Sequence, residues 1–392
     1  MTRNPNSGAG KTGRRFIAGG LYPAIGVICL LVLWNCTMAG PEGPGTNKIS
    51  ILSWNVQALF DGIDTDLEYR EYTSGAGWNN EKYQARLYGI AGAVKGIAEA
   101  RGLTFDVLAL IEVENSGVLG DLAEHFGMDY KWQFFAGAPG GATGIGILSR
   151  FPIAETLVHS AHFDAHGIPR PVAEVWIDYG GEPLVLMACH WKSKTGGARE
   201  TEPLRQAEAG IIARRLDEIS AANPETPVIV LGDLNENYDD FVRTGAAYPC
   251  ALMPDSEDAA AALGLSSVHP RPGFQNFLVL SPQNPPRAEY IPKVREAAVL
   301  YSPWEDPAWK EGLCESPGSY YYDGGWETID HFLLNAALFN KRGWEYGGFS
   351  VLPEAPFTGA GGAPHAYNPR TGTGLSDHLP IMLNLVMEKY TP

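Results

Sequence analysis

Short apolar, β-branched runs separated by turns dominate the chain. Lys48 to Trp54, Phe105 to Ile111, Gly144 to Leu148, Val172 to Ile177, Leu184 to Cys189 and Val228 to Leu231 are of strand length and strand composition. Two segments change the period. In about Lys82 to Ala100, Tyr83, Leu87, Ile90, Val94 and Ile97 recur at three- and four-residue spacing, and in about Glu202 to Ser220, Leu204, Ile211, Leu216 and Ile219 share one face. Both predict helices. Strand-like sequence returns at Thr328 to Leu334 and Pro380 to Val386. Strands outnumber helices without alternating strictly with them, so a doubly wound parallel sheet fits poorly. No internal repeat argues for a solenoid.

The pattern lapses twice. From Phe16 to Trp34 no residue is charged, and Lys11, Arg14 and Arg15 precede the run, which reads as an export signal or membrane anchor. Three outcomes compete there: lipidation at Cys36, where Leu33-Trp34-Asn35 resembles a bacterial lipobox except for its two bulky or polar residues; retention as a signal anchor; and cleavage after Ala39. Residues 1–39 are therefore expected to target the chain, 40–47 to tether it and 48–390 to form the globular domain. The second lapse runs from Glu236 to Trp326. It is rich in Pro, Gly, Asp and Ala and predicts a long loop insertion, about 236–326, whose aromatics (Tyr290, Tyr301, Trp304, Trp309, Tyr320, Tyr321, Tyr322 and Trp326) favour an ordered, packed role.

Charge narrows the function. With 45 acidic against 29 basic side chains in 392 residues, the net charge of -16 excludes tight, stoichiometric coating of a long duplex. A composition 45% hydrophobic and 19% charged excludes global disorder. The 46 glycines and 29 prolines imply well-punctuated loops. Beyond the export segment lie Cys189, expected in a buried strand, and Cys250 and Cys314, which are free to pair in an oxidising compartment.

Polar residues of a particular mix stand at the ends of the apolar runs: Asn55 after ISILSW, Glu112 after VLALI with Glu114 and Asn115 beyond it, His190 after LVLMAC, Asp233 and Asn235 in GDLN, Asp330 within TIDHFLL, and Ser376-Asp377-His378 before LPIMLNLVM. Singly, an Asn or Asp in such a place is usually a turn former. Six sites combining carboxylates, carboxamides and imidazoles suit phosphate-ester hydrolysis better. A hard cation such as Mg²⁺ takes one or two carboxylates and fills its shell with water, roles open to Glu112 and Asp377. The phosphoryl group needs donors, which His190, Asn235 and Lys192 offer, and the water needs a base, where His378 held by Asp330 fits.

This ordered set, with the fairly specific GDLN and SDHLP, resembles the endonuclease/exonuclease/phosphatase family over roughly Ile49 to Met387. The resemblance implies the DNase I-like fold: a four-layer α/β sandwich of two mixed β-sheets packed face to face and flanked by helices. It implies that Glu112 binds Mg²⁺ or Mn²⁺ with Asn55 and Asp377. Asp233 would position or deprotonate the water, Asn235 and His190 would hold the phosphate, and Asp330 would orient His378, which contacts the phosphate or shares in proton transfer. The choice of base between Asp233 and His378 stays open.

EVEN after the glutamate and HWKSK at the histidine are similar to secreted and cell-surface bacterial nucleases of the family. Base-excision endonucleases usually carry Q-E-x-K where this chain has IEVE. Pro307-Ala308-Trp309-Lys310 echoes inositol polyphosphate phosphatases but comes too early, and Tyr320 to Trp326 suggests the lipid-entering hairpin of bacterial sphingomyelinases, although packing of the insertion explains it more economically. Lys192, Lys194, Arg199 and Arg205 form the basic concentration near the motifs, with Lys192 and Arg199 the candidate phosphate-steering residues, and a solvated helix start the equal alternative because Arg205 already falls on the expected helix. The acidic run Asp61, Asp64, Asp66, Glu68 and Glu71 has oxygen donors for a structural Ca²⁺ but no ligand pattern, and a solvated loop is the simpler reading. The expectation is an exported, monomeric phosphodiesterase that meets the membrane through its N-terminal segment, needs no protein partner and acts transiently on nucleic acid. The alternatives are hydrolysis of an inositol phosphate, sphingomyelin or other small or lipid phosphoester, and an inactive binding protein.

Overall fold

The computed structural model describes residues 48–127, 129–160, 170–264, 277–291, 299–306 and 316–388, within a compact unit spanning Gly43–Pro392. The apolar run at 16–34, Cys36, Trp309 and Cys314 lie outside the described residues. Among the described residues no helix is long and apolar enough to cross a membrane.

The strands are β1 (Lys48–Leu59), β2 (Val107–Val113), β3 (Trp132–Gly137), β4 (Gly144–Ser149), β5 (Ile153–His159), β6 (Val172–Tyr179), β7 (Glu182–His190), β8 (Val228–Asp233), β9 (Leu252–Pro254), β10 (Leu278–Ser281), β11 (Val299–Tyr301), β12 (Tyr320–Tyr322), β13 (Gly325–Glu327), β14 (Asp330–Leu334), β15 (Gly343–Val351) and β16 (Ile381–Glu388). Helices are α1 (Asn80–Arg101), α2 (Ser116–Phe126), α3 (Ala198–Ala222), α4 (Asp240–Arg243) and α5 (Glu257–Ala262). One mixed sheet has the order β15-β16-β1-β2-β4-β3 and the other β5-β6-β7-β8-β14-β11-β10-β9.

The apolar runs lack polar alternation because both faces of the central strands are covered. In β7, Leu184, Leu186 and Ala188 join the core between the sheets, while Val185, Met187 and Cys189 pack with Ile212, Leu216 and Ile219 of α3. Strand β8 divides likewise, Ile229 and Leu231 facing inward and Val228 and Val230 facing α3. On the first sheet, Leu87, Ile90 and Val94 of α1 and Val118, Leu119 and Leu122 of α2 join the central core. Helices therefore flank a pair of mixed sheets, the expected sandwich.

Two expectations need correction. The stretch 236–326 is not an insertion of loops alone: β9, β10 and β11 extend the second sheet, with β10 parallel to both neighbours and β11 joining β14 antiparallel. They rest on a small core of their own that includes Phe241, Met253, Phe277 and Ile291. Strands of three or four residues are too short to show a period. Among the described residues the chain also forms three α-helices beyond the two that the sequence period predicts, α2, α4 and α5. Asn115 caps α2 by accepting from Val118 N at 3.0 Å, so this polar residue beside Glu112 serves the turn chemistry of a helix start.

Topology gathers the motifs. Asn55 and Glu112 lie toward the carboxyl ends of the parallel pair β1 and β2, while His190 and Asp233 end the parallel pair β7 and β8 and face each other in register. Asp330 opens β14, which runs antiparallel to β8, and is paired with Asp233; Ser376-Asp377-His378 precede β16, antiparallel to β1. Four strand ends and two strand starts therefore meet at one edge of the sandwich.

Candidate active site

Local backbone distortions aim these side chains. Glu112 has φ of 70° at a bulge in β2, and Gln57 and Ala58, at 55° and 53°, form a matching irregularity in β1. Such left-handed conformations in non-glycine residues are costly and are kept where the surroundings over-determine them. Here Ala58 N donates to Glu112 Oε2 at 2.7 Å, and Gln57 N donates to Asn55 Oδ1 at 3.0 Å. The Gln57 carboxamide reaches further: its Oε1 accepts from Tyr367 N at 2.7 Å and from Asp377 N at 3.0 Å. One dipeptide thus ties Asn55, Glu112 and Asp377 together.

In GDLN the glycine has its own cause. Gly232 has φ of 118°, and a Cβ there would meet the Cys189 carbonyl oxygen of the neighbouring strand at 2.1 Å. Asp233 Oδ1 accepts from Asn235 N at 2.9 Å, an Asx turn that places Asn235 at φ of 52°. Asn235 Nδ2 donates to Trp191 O at 3.0 Å, joining GDLN to HWKSK.

Polar atoms converge on a cleft of about 440 Å³ lined by Glu112, His190, Asp233, Asn235, Asp377 and His378. His190 Nε2 stands 3.6 Å from both Glu112 Oε1 and Asp233 Oδ2, too far for hydrogen bonds, so the three frame a gap. Asn55 Nδ2 donates to Asp233 Oδ2 at 3.0 Å and reaches Glu112 Oε1 at 3.3 Å. In this arrangement Asn55 presents its amide nitrogen to the carboxylates, so ligation through its oxygen would require the carboxamide to turn. His378 Nδ1 donates to Asp330 Oδ2 at 2.8 Å, and its Nε2 lies 3.9 Å from Asp233 Oδ2. Asp233, Asp330 and His378 also form a buried group compact enough to hold a metal. Because Asp330 and His378 are already bonded to one another, the donors still open toward a cation are the carboxylates of Glu112, Asp233 and Asp377. Carboxylate oxygens with room for water between them are a donor set that suits a hard cation.

The environments separate the proton affinities of the site. Burial drives the His190 imidazole well below its ordinary value, and Arg170, His378 and Lys192 push the same way, so it is neutral. Burial would do the same to His378, but Asp330, by charge and hydrogen bond, then Asp233 and Asp377, raise it to about 10. Burial lifts the Asp233 carboxyl to about 7 against the pull of His378.

The basic residues depart from expectation. Lys192 and Arg199 do not line the cleft: Lys192 Nζ donates to Ser193 O at 3.2 Å, and the Arg199 guanidinium sits 5.9 Å from the Tyr248 ring centre. Arg205 is fully buried, held by Glu202 and Glu236. The cations that do line the cleft are Lys194, bonded to Asp240 at 2.6 Å, and Arg170, which sequence reasoning missed for want of any motif around it. Also missed were Gln57, Ser319 beneath Asp330 (2.7 Å), and Tyr69 of the cleft wall. The cluster Tyr320 to Trp326 is not mere packing of the insertion, since β12 and β13 form a hairpin whose Tyr320 and Tyr322 line the cleft. Within the acidic run, Asp61 accepts from Ile63 N at 2.6 Å, Asp64 from Ser74 N at 2.9 Å and Glu68 from Thr65 N at 2.7 Å, so these three carboxylates serve local turns.

Solved structures that match include truncated TDP2 of Caenorhabditis elegans, 18% identical, covering 86% of this chain and 97% of that one with a TM-score of 0.48. A functionally unknown conserved protein of Enterococcus faecalis V583 is 12% identical, with coverage of 87% and 100% and a TM-score of 0.47. A mannosyl-6-phosphatase of Bacteroides thetaiotaomicron is 15% identical, with coverage of 86% and 99% and a TM-score of 0.45. No curated protein matches the chain. The model of one family matches residues 50–246, which hold Asn55, Glu112, His190, Asp233 and Asn235. On that match the chain belongs to the endonuclease/exonuclease/phosphatase family.

Proposed function

We propose that the chain is a metal-dependent phosphodiesterase acting on nucleic acid, exported and held at the cell envelope by its N-terminal segment. The observation that carries the reading is the gap framed by Glu112, His190 and Asp233, with His378 on Asp330 beside it. Glu112, Asp377 and Asn55 would hold Mg²⁺ or Mn²⁺, the last by turning its oxygen inward. When bound, such an ion polarises the phosphoryl oxygen and offsets the negative charge of the cleft.

The chain's own residues supply the rest. Asp233, with a value near 7, can take a proton from the attacking water, while Asn235 N fixes one of its oxygens. His378 is a cation at neutral pH, and its Nε2–H faces the site where a non-bridging or leaving oxygen gathers charge. Neutral His190 orients the phosphate as a donor without repelling the ion. Together these features favour Asp233 as base and His378 as the electrophilic donor.

A second reading, hydrolysis of a small or lipid phosphoester, draws on the cleft's shortage of uncommitted cations. Assays of the purified chain with Mg²⁺ or Mn²⁺ on plasmid DNA, RNA, sugar phosphates, phosphoinositides and sphingomyelin separate the readings. Silence on every substrate, unchanged by His378→Ala, would refute the enzymatic proposal and leave an inactive binding protein.

A further inference from the structure

The hairpin beside His378 has a construction that the hydrolytic chemistry does not use. Residues Asp323 and Gly324, at φ of 47° and 82°, join β12 to β13, with Tyr322 opposite Gly325. Two successive left-handed residues make the type I′ connection that matches strand twist, so the hairpin is preset. Its register puts Tyr320 and Tyr322 on one face and Tyr321 on the other, where Tyr321 packs edge-on against Trp326 at 5.2 Å. The Tyr320 ring lies 4.5 Å from the His378 imidazole, and Tyr322 lies nearly parallel to Tyr320, 6.2 Å further along. Tyr320 is half-buried, but Tyr322 is 64% exposed although it lines the cleft. Tyr69, which also lines the cleft, leans on Phe60 at 5.3 Å.

We infer that Tyr322, seated on Tyr320, is a stacking subsite for the nucleobase of the nucleotide adjoining the scissile phosphate. The inference rests on the nucleic-acid reading of the same cleft. A sugar bonded directly to the phosphate would meet Tyr320, whose ring is already packed on His378. The open face belongs to Tyr322, one step farther out, and suits a ring that is itself one sugar removed from the phosphate. Charge points the same way. Lys194 is paired with Asp240 and lies 3.7 Å from Glu327, while Arg170 bonds the neutral Trp191 carbonyl and keeps its charge, so the cleft offers a cation to the scissile phosphate but, in a chain at -16, little to a run of further phosphates. Stacking on an aromatic face holds a base without needing net charge and tolerates any sequence. The fitting substrate is a short or single-stranded end, whose base is free of a duplex stack.

The test compares a single-stranded tetranucleotide with the same molecule lacking the base beside the scissile phosphate, using the full purified chain, Mn²⁺, and the variants Tyr322→Ala and Tyr322→Phe. The wild type is expected to prefer the base-bearing substrate in kcat/KM by about tenfold or more. Tyr322→Ala should bring that preference close to parity, chiefly through KM, and Tyr322→Phe should keep it. An unchanged preference in Tyr322→Ala overturns the subsite while leaving the nuclease reading intact. Failure of the wild type to cleave either oligonucleotide, with sugar phosphates turned over, overturns the nuclease reading and the subsite with it.

Discussion

His378 donates through Nδ1 to Oδ2 of Asp330 at 2.8 Å, and the same oxygen accepts from Ser319 Oγ at 2.7 Å. The backbone carbonyl of Asp330 is held in turn by Trp304 Nε1 at 2.9 Å. This carboxylate is fixed on several sides, so the imidazole it holds has one orientation, with Nε2 toward the cleft.

Replacing Asp330 with Asn keeps the shape and removes the charge that most raises His378 above its ordinary value. Its value then falls, and the alkaline limb of the kcat–pH profile moves to lower pH. At neutral pH kcat drops by about 10²- to 10⁴-fold. Steady-state rates from pH 6 to 10 check both effects; an alkaline limb that stays in place would remove His378 as the titrating donor.

Arg86 supports the Glu112 side of the cleft from below. It is buried, donates through Nη2 to the carbonyls of Val56 and Gln57, and stacks 3.8 Å from the Tyr367 ring centre. It therefore holds the left-handed pair that points Ala58 N at Glu112 and Gln57 at Asp377. Arg86→Met is expected to weaken Mn²⁺ binding by about 10- to 100-fold, the usual effect of losing an outer support of a metal ligand. Titration calorimetry reads this directly, with near-UV circular dichroism confirming that the variant folds. Undiminished affinity would show that the bulge holds itself.

The division between what was legible and what was not follows from range. Asn55, Glu112, His190, Asp233, Asp330 and His378 each end or open an apolar run, so a local pattern marks them and strand topology brings them together. Gln57 and Arg86 act through backbone carbonyls and amides of residues distant in sequence, and no side-chain pattern announces that. Arg205 looked like part of a surface patch because its neighbours are basic; its partners Glu202 and Glu236 belong to a helix start and to the segment after GDLN. The short strands β9, β10 and β11 are too brief for periodicity, and the stacked face of Tyr320 and Tyr322 appears only once a turn fixes their register.

That buried Arg205 gives a stability prediction. Its guanidinium bonds Glu202 Oε2 at 2.6 Å, Glu236 Oε2 at 3.2 Å and Lys192 O at 3.1 Å, while Glu202 and Glu236 accept from Ala251 N and Leu252 N. Arg205→Met leaves two acids without their cation and should cost about 3–5 kcal/mol in urea unfolding. Adding Glu202→Gln and Glu236→Gln should recover part of the loss. A single variant as stable as the wild type would contradict the clamp.

Glu174 supplies the acid end of the stability profile. It is fully buried on β6, and its carboxylate accepts from Arg215 at 2.7 and 2.8 Å and from Trp176 Nε1 at 2.6 Å, with His159 Nε2 at 2.7 Å. Burial alone would raise its proton affinity; the bonds from His159, Arg215 and Trp176 outweigh it and bring the value from 4.5 to about 2. A carboxyl depressed in the folded state binds protons more readily in the unfolded chain. Its contribution is therefore complete above pH 4.5, shrinks as the pH falls and is exhausted below about 2. Glu174→Gln should lower Tm at pH 7, and its difference from the wild type should begin to shrink below pH 4.5 and be largely gone only near pH 2, because at pH 3 the folded Glu174 is still mostly ionised. Arg215 stays charged throughout, so Arg215→Met should reproduce the same convergence from the other partner. Thermal melts of the three proteins at pH 7, 5, 4, 3 and 2 decide it: a gap that stays constant down to pH 2 would mean that Glu174 stabilises the fold by packing and not by its charge.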